Sequence, residues 1–144
     1  VQRGEAGGLG QQGAGRTGWL AGVGDRIVGG ALNALHARPA HAWTLEELAR
    51  EAGTSRSVLA ERFQHLVGSS PIQYLTQWRM LLAANLLCRS NAPLARIAED
   101  VGYQTDTAFS RAFRREYGAP PAAWRRSMPP LARKQDIPTW PAIF

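Results

Sequence analysis

The chain has 144 residues, of which 44% are hydrophobic and 19% charged, a balance that favours one folded domain and leaves too little length for two of ordinary size. Its formal net charge of +6 favours a polyanionic partner. The single cysteine, Cys88, excludes a disulfide framework and a cysteine metal cluster, and no apolar run is long enough to span a membrane. These features favour a cytoplasmic protein.

Residues 1–24 are predicted to form a flexible leader or linker. Nine of the fifteen glycines lie in this stretch, and hardly any apolar side chain precedes Trp19 and Leu20. Such a segment buries too little apolar surface to offset the entropy that it would lose on ordering.

A first helix is predicted over residues 25–37. Asp25 is a suitable N-cap, and Pro39 lies just beyond the expected end. The apolar positions recur at helical spacing, although the pair Gly29 and Gly30 lowers the helix propensity.

Residues 44–67 have the pattern of two short helices joined by a turn. Thr44 followed by Glu47 is a capping box that begins one helix, and Ser55 is the expected N-cap of the other. Gly53 marks the turn between them. The second helix has a core stripe at Leu59, Phe63, Leu66 and Val67 and outward positions at Ser57, Ala60, Glu61 and Gln64.

The longest predicted helix covers residues 71–89 and links the two halves of the chain. Its expected core positions are Ile72, Leu75, Met80, Leu81, Ala84, Leu87 and Cys88. About eighteen helical residues measure roughly 27 Å. Successive major grooves on one side of DNA lie about 34 Å apart. If this helix sets the separation of two reading helices, the DNA must bend modestly, at a cost of about 1–6 kcal/mol.

Residues 94–117 repeat the arrangement of helix, glycine turn and helix. The break falls at Gly102. The second of these helices is predicted to bury Ala108, Phe109, Ala112 and Phe113 and to present Thr107, Ser110, Arg111 and Arg114 on another side. A buried stripe opposite a polar, cationic face after a tight turn is the layout of a DNA-binding helix-turn-helix.

A short last helix is predicted after Gly118, with Trp124 buried. The stretch 129–144 that follows is a proline-rich tail. Between positions 111 and 134 there are seven basic residues against one acid, Glu116, so the second half carries most of the positive charge.

The two helix-turn-helix segments are copies of one unit. A shift of 49 positions places Gly53 on Gly102, and a shift of 50 beyond the turn places Ser57 on Thr107 and Phe63 on Phe113. The match continues at Gly68 on Gly118, Pro71 on Pro121 and Tyr74 on Trp124. An internal repeat of this length indicates one structural unit used twice.

At these residues the chain resembles the DNA-binding domain of the AraC/XylS family of bacterial transcription regulators. The resemblance rests on Ile97-Ala98, Val101-Gly102-Tyr103, Phe109-Ser110-Arg111, Phe113-Arg114-Arg115, Gly118, Pro121 and Trp124-Arg125. It implies an all-α fold of about seven helices, with two helix-turn-helix subdomains and a linking helix over residues 25–128. It also implies that an N-terminal cupin-like sensing domain, absent from this sequence, would bind the effector ligand. We therefore favour a fragment of a longer regulator over a short stand-alone member.

The resemblance implies double-stranded DNA as the partner, with RNA polymerase as a further candidate. Base contacts are expected from Thr107 and Arg111 in the second unit and from Ser57, Ala60 and Glu61 in the first. Arginine at position 111 can hold O6 and N7 of guanine, but a phosphate contact or an ion pair with Asp106 or Glu116 remains open. Phosphate contacts are expected from Arg56, Arg62, Arg114 and Arg115. The second unit should supply most of the sequence discrimination.

Two other classes of function remain open: a helical module that binds protein, and an architectural protein that binds DNA without sequence preference. Catalysis is not expected, because the sequence has no phosphate-binding glycine loop and no recognisable catalytic set. No cofactor or metal is expected either, since His36, His41 and His65 lack metal-ligand spacing. We expect these histidines at the surface or at helix ends.

Overall fold

The computed structural model describes residues 24–127, and within that range the chain forms helices and no strands. The helices are α1 (Arg26–Ala37), α2 (Leu45–Ala52), α3 (Arg56–Val67), α4 (Pro71–Arg89), α5 (Leu94–Asp100), α6 (Asp106–Tyr117) and α7 (Pro121–Ser127). The predicted all-α fold with seven helices is therefore confirmed for this range. Within it, none of the helices has the length and apolar character needed to cross a bilayer. The predictions for residues 1–23 and for the tail 129–144 lie outside the described residues.

Side chains cap the helices at the predicted positions. Asp25 Oδ1 accepts hydrogen bonds from the backbone N–H groups of Ile27 and Val28, both at 2.9 Å. The hydroxyls of Thr44 and Ser55 accept from N–H groups three residues further on, at 3.1 and 3.3 Å. These bonds satisfy donors that have no partner within the helix and so define where α1, α2 and α3 begin.

The chain divides into two compact units, which contain residues 24–37 with 43–74 and residues 38–42 with 75–127 of the described range. In the first unit, α1, α2 and α3 share an apolar core. Its completely or almost completely buried side chains are Val28, Ala31, Leu32, Leu35, Leu48, Leu59 and Phe63. The apolar positions predicted for residues 25–37, together with the predicted Leu59 and Phe63, account for most of this core.

The second unit has its own core, built from α4, α5 and α6. It contains Met80, Ala83, Ala84, Leu87, Ile97, Ala98, Val101, Phe109, Ala112 and Phe113. Trp124 of α7 is half-buried and meets the ring of Phe113 edge-on at a centroid distance of 5.4 Å. Its indole therefore covers one side of this core, whereas the sequence analysis predicted a buried residue.

The duplication predicted from the sequence is visible in the backbone. Gly53 and Gly102 both have positive φ, at 74° and 99°, and so do Gly68 and Gly118, at 97° and 80°. Phe63 and Phe113 are both fully buried. The two helix-turn-helix segments therefore place glycine at equivalent turns and phenylalanine at an equivalent core position.

Two predicted core positions are wrong. Ala108 is exposed because the buried stripe of α6 consists of Phe109, Ala112 and Phe113, and the first turn of the helix projects beyond that contact. Ile72 is 39% exposed, whereas Tyr74 and Trp78, which the sequence analysis did not place in the core, are buried.

His36 is also buried, contrary to the expectation of a surface or capping histidine. It lies on the apolar stripe of α1, and its Nε2 is 2.6 Å from the hydroxyl oxygen of Tyr74. Burial lowers the pKa of His36 from 6.5 to about 4, because the charged imidazolium loses its hydration. The ring is therefore neutral at pH 7.

We predict that acid destabilises the first unit through His36. Between pH 6.5 and about 4 the unfolded chain binds a proton at this residue and the folded chain does not, so the stability present above pH 6.5 is lost as the pH falls. The loss can reach roughly 3 kcal/mol. Urea unfolding across this pH range should give a flatter profile for His36→Gln than for the native chain. The same change at exposed His65 is the control for replacing a histidine, and equal profiles for His36→Gln and the native chain would contradict the prediction.

The glycine turns allow a matched test of packing. A Cβ added at Gly102 would lie 2.9 Å from the Cα of Ala40 and from the guanidinium of Arg79, whereas one added at Gly53 would meet nothing within 4 Å. Both changes to alanine incur the left-handed backbone strain of about 1–2 kcal/mol. Gly102→Ala should lose roughly 1–3 kcal/mol more, because the added methyl overpacks the site. Chemical denaturation measures the free energy of unfolding of both variants. Equal losses would contradict the prediction and would mean that Ala40 and Arg79 move to accommodate the methyl group.

Candidate nucleic-acid interface

The candidate interface in the second unit is the outer side of α6. Thr105 caps this helix by accepting from the N–H of Ala108 at 3.1 Å, and burial of Phe109 and Phe113 fixes its rotation. Thr107 and Arg111 are then exposed one turn apart on the opposite side, as predicted. This placement gives both side chains access to a ligand outside the fold.

A shallow depression surrounds these two residues. It is lined by Asp106, Thr107, Ser110, Arg111, Arg114 and Pro120. Asp106 was not among the predicted reading residues, and its position in the first turn beside Thr107 is the sequence signal that could have identified it. The depression combines hydroxyl, carboxylate and guanidinium groups, all of which can bond to base edges.

The guanidinium of Arg111 is available to a ligand. In the range 24–127, neither Asp106 nor Glu116 forms an ion pair with it, so the structure does not favour that alternative. Arg114 and Arg115 are exposed in the last turn of the same helix, where their charges also stabilise the negative end of the helix dipole. Three exposed arginines therefore lie along one helix.

Arg125, by contrast, directs its charge into the protein. Its guanidinium donates hydrogen bonds to the carbonyl oxygens of Leu87, Ala92 and Ser90 at 3.1, 3.0 and 3.2 Å. These carbonyls end α4 and lead into α5, so Arg125 ties α7 to the segment between those helices. Counting charges along the sequence could not separate this structural arginine from the exposed ones.

The corresponding helix of the first unit, α3, has different chemistry. Ser57 and Glu61 are exposed, and Ala60 is half-buried. Arg56 lies at the start of the helix and shares a shallow depression with Ser57, Ala60 and their neighbours. One hydroxyl, one methyl and one carboxylate offer fewer options for reading bases than the side chains of α6.

Arg62 points towards the start of α1. Its Nη1 is 3.2 Å from Oδ2 of Asp25, the carboxylate that also caps that helix. The N–H of Val28, then that of Ile27 and the charge of Arg62, lower the pKa of Asp25 below its usual value against the opposing effect of desolvation. A phosphate contact by Arg62 would have to compete with this pair.

The formal charge differs between the two units. In the described range, the first unit has four arginines and five acidic residues, a charge of −1, while the second has nine arginines and four acidic residues, a charge of +5. A polyanion is therefore attracted mainly to the second unit.

The chain matches a helix-turn-helix family and is similar to bacterial transcription regulators. Residues 48–127 match the family described as "Helix-turn-helix domain". The chain is 50% identical over 110 residues to a putative AraC-like transcription regulator of Streptomyces antibioticus, covering 76% of this chain and 36% of that protein. It is 33% identical over 84 residues to the regulatory protein SoxS of Salmonella typhimurium, covering 58% of this chain and 78% of SoxS.

The fold is also similar to solved structures. The DNA-binding domain of AdpA, a global transcriptional factor crystallised in complex with a target DNA, aligns with a TM-score of 0.67 and 31% identity over 72% of this chain and 92% of that one. The present chain spans about a third of the length of the Streptomyces relative, at 36%.

We predict that the neighbouring residues Arg125 and Arg126 differ sharply in their importance for folding. Arg125→Ala should lower the free energy of unfolding by roughly 1.5–3 kcal/mol, because three carbonyl oxygens lose a charged donor. Arg126→Ala changes an exposed residue and should stay within about 0.5 kcal/mol of the native chain. Urea titration measures both, and similar losses would refute the structural role of Arg125.

Proposed function

The chain belongs to the AraC/XylS family of transcription regulators, and from this premise we propose that it is a domain that binds double-stranded DNA sequence-specifically and reads bases mainly with α6. The observation that carries the proposal is the exposed pair Thr107 and Arg111 on a helix that is capped, rotationally fixed and part of a unit of charge +5. Arginine can bond to both O6 and N7 of guanine, so this helix has the chemistry for direct readout.

The first unit would add affinity and some discrimination through α3. Ser57 can donate or accept, Ala60 can contact a thymine methyl, and Glu61 can accept from cytosine N4. Arg56 in this unit and Arg114 and Arg115 in the second would neutralise phosphates, which adds salt-dependent affinity without sequence preference. The two recognition helices would enter adjacent major grooves, and modest bending of the DNA remains a prediction for a circular-permutation mobility assay.

The division of charge favours DNA binding over the alternative of a protein-interaction module. A non-specific architectural role would need only the phosphate contacts, whereas the exposed hydroxyl and guanidinium on one face of α6 favour base reading. The proposal has four further parts. RNA polymerase would be a partner, and another domain would bind the effector. The chain would not catalyse a reaction, and it would lie in the cytoplasm with the nucleoid.

The central experiment is fluorescence anisotropy on a duplex enriched from a random pool and on a scrambled duplex. Arg111→Ala should lose roughly 1–3 kcal/mol on the enriched duplex and little on the scrambled one, because it removes a base contact. Arg114→Ala, on the same helix, should weaken both complexes similarly and reduce the salt dependence.

Three outcomes would contradict the proposal. Equal affinity of the native chain for both duplexes would indicate an architectural protein. Absence of binding to either duplex would favour the interaction module. An unchanged preference in Arg111→Ala would mean that α6 does not read bases through this side chain.

A further inference from the structure

Arg79 of α4 has no role in the interface described above, yet it makes a dense set of contacts within the second unit. Its Nε donates to the carbonyl oxygen of Pro39 at 2.7 Å, and its Nη2 donates to that of His41 at 2.9 Å. The segment 38–42 belongs to the second unit even though it precedes the first helix-turn-helix in the sequence. A forked, charged donor thus holds this segment against α4.

The same guanidinium also contacts the turn before α6. Its central carbon lies 5.6 Å from the centroid of the Tyr103 ring, within the range of a cation–π interaction. The Tyr103 ring in turn lies 6.0 Å from that of Phe109, a buried residue of α6. Arg79 therefore contacts Tyr103, and Tyr103 contacts Phe109 of the candidate recognition helix α6.

Close packing at Gly102 leaves this junction little freedom. The backbone there has φ of 99°, and any Cβ would lie 2.9 Å from both the Cα of Ala40 and the guanidinium of Arg79. The N–H of Tyr103 donates to the carbonyl oxygen of Ala98 at 2.8 Å, which fixes the other side of the turn to α5. The turn is thus held between α5, Arg79 and the segment 38–42.

We propose that Arg79 is a positioning residue for base reading: by tying the segment 38–42 to the turn at 102–103, it fixes the placement from which α6 presents Thr107 and Arg111. This inference rests on the proposed base reading by α6. A bidentate contact to guanine tolerates little displacement, whereas a flexible side chain can follow a phosphate. Loss of Arg79 should therefore reduce discrimination between DNA sequences more than general affinity for DNA.

A purely structural role would have a different signature, and Arg125 provides the matched control. It also donates to backbone carbonyls in the same unit, but these carbonyls belong to Leu87, Ser90 and Ala92 and not to the segment 38–42. We would compare Arg79→Met and Arg79→Lys with Arg125→Met and Arg125→Lys. Circular dichroism would first identify a temperature at which every variant is folded.

The readout is the ratio of affinities for the enriched and scrambled duplexes. Arg79→Met should reduce this ratio roughly tenfold, a value within the range lost with one base contact. Arg79→Lys should lie between Arg79→Met and the native chain, because lysine retains the charge and a donor but not the fork. The ratio for both Arg125 variants should remain near the native value. An unchanged ratio in Arg79→Met, or an equal fall in Arg125→Met, would overturn the proposal.

A double-variant cycle separates this inference from the proposed function. If Arg79 acts through α6, then adding Arg79→Met to Arg111→Ala should reduce the ratio by less than Arg79→Met does in the native chain, because the Arg111 contact is already lost and only the placement of Thr107 can still change. Single-base changes in the duplex should show that the positions affected by Arg111→Ala are among those affected by Arg79→Met. Additive losses, or losses at different positions, would refute positioning through Arg111. If Arg111→Ala itself keeps full discrimination, the proposed base reading fails. If Arg111→Ala loses discrimination and Arg79→Met does not, only the role of Arg79 fails.

Discussion

Burial of Phe109 and Phe113 is the constraint on which the candidate interface depends. Both rings are fully buried in the core of the second unit, and this contact determines the rotation of α6 about its axis. Because side chains on a helix are spaced by about 100°, fixing two of them fixes the direction of all the others. Thr107 and Arg111 face outwards as a consequence of what the opposite side buries.

The duplicated unit applies this constraint twice with different results. Phe63 of α3 is as deeply buried as its counterpart Phe113, so both helices are held in the same way. Their outer sides differ, since Glu61 in α3 occupies the position of Arg111 in α6. Because the buried side specifies the rotation, the identity of the residues on the outer side can change with little effect on folding. One copy can therefore acquire positive charge and base-reading groups while the other does not.

Local chemistry made much of the fold predictable from the sequence. The caps at Thr44 and Ser55 and the glycine turns depend on residues a few positions apart, and the spacing of apolar residues depends only on helix geometry. The internal repeat added independent support, because each segment predicted the other. The exposed positions of Thr107 and Arg111 followed from the buried stripe on the same helix. Their contacts with DNA remain predictions.

The positions that could not be predicted depend on partners distant in the sequence. His36 meets Tyr74 across 38 residues, and Arg125 meets carbonyls 33 to 38 residues away. Arginine at position 125 and arginine at position 111 look alike in the sequence, and only the fold shows that one is used internally.

Residues that support the interface differ from residues that would contact a ligand in how many neighbours they have within the fold. Arg79, Arg125 and Gly102 are constrained by several neighbours at once, so a change at any of them is felt by the core. Arg111 forms no ion pair among residues 24–127, so its guanidinium N–H groups are available to bond to a ligand. A rigid support under a few unengaged side chains is the arrangement that precise recognition needs, because each contact then forms without further ordering of the helix that carries it.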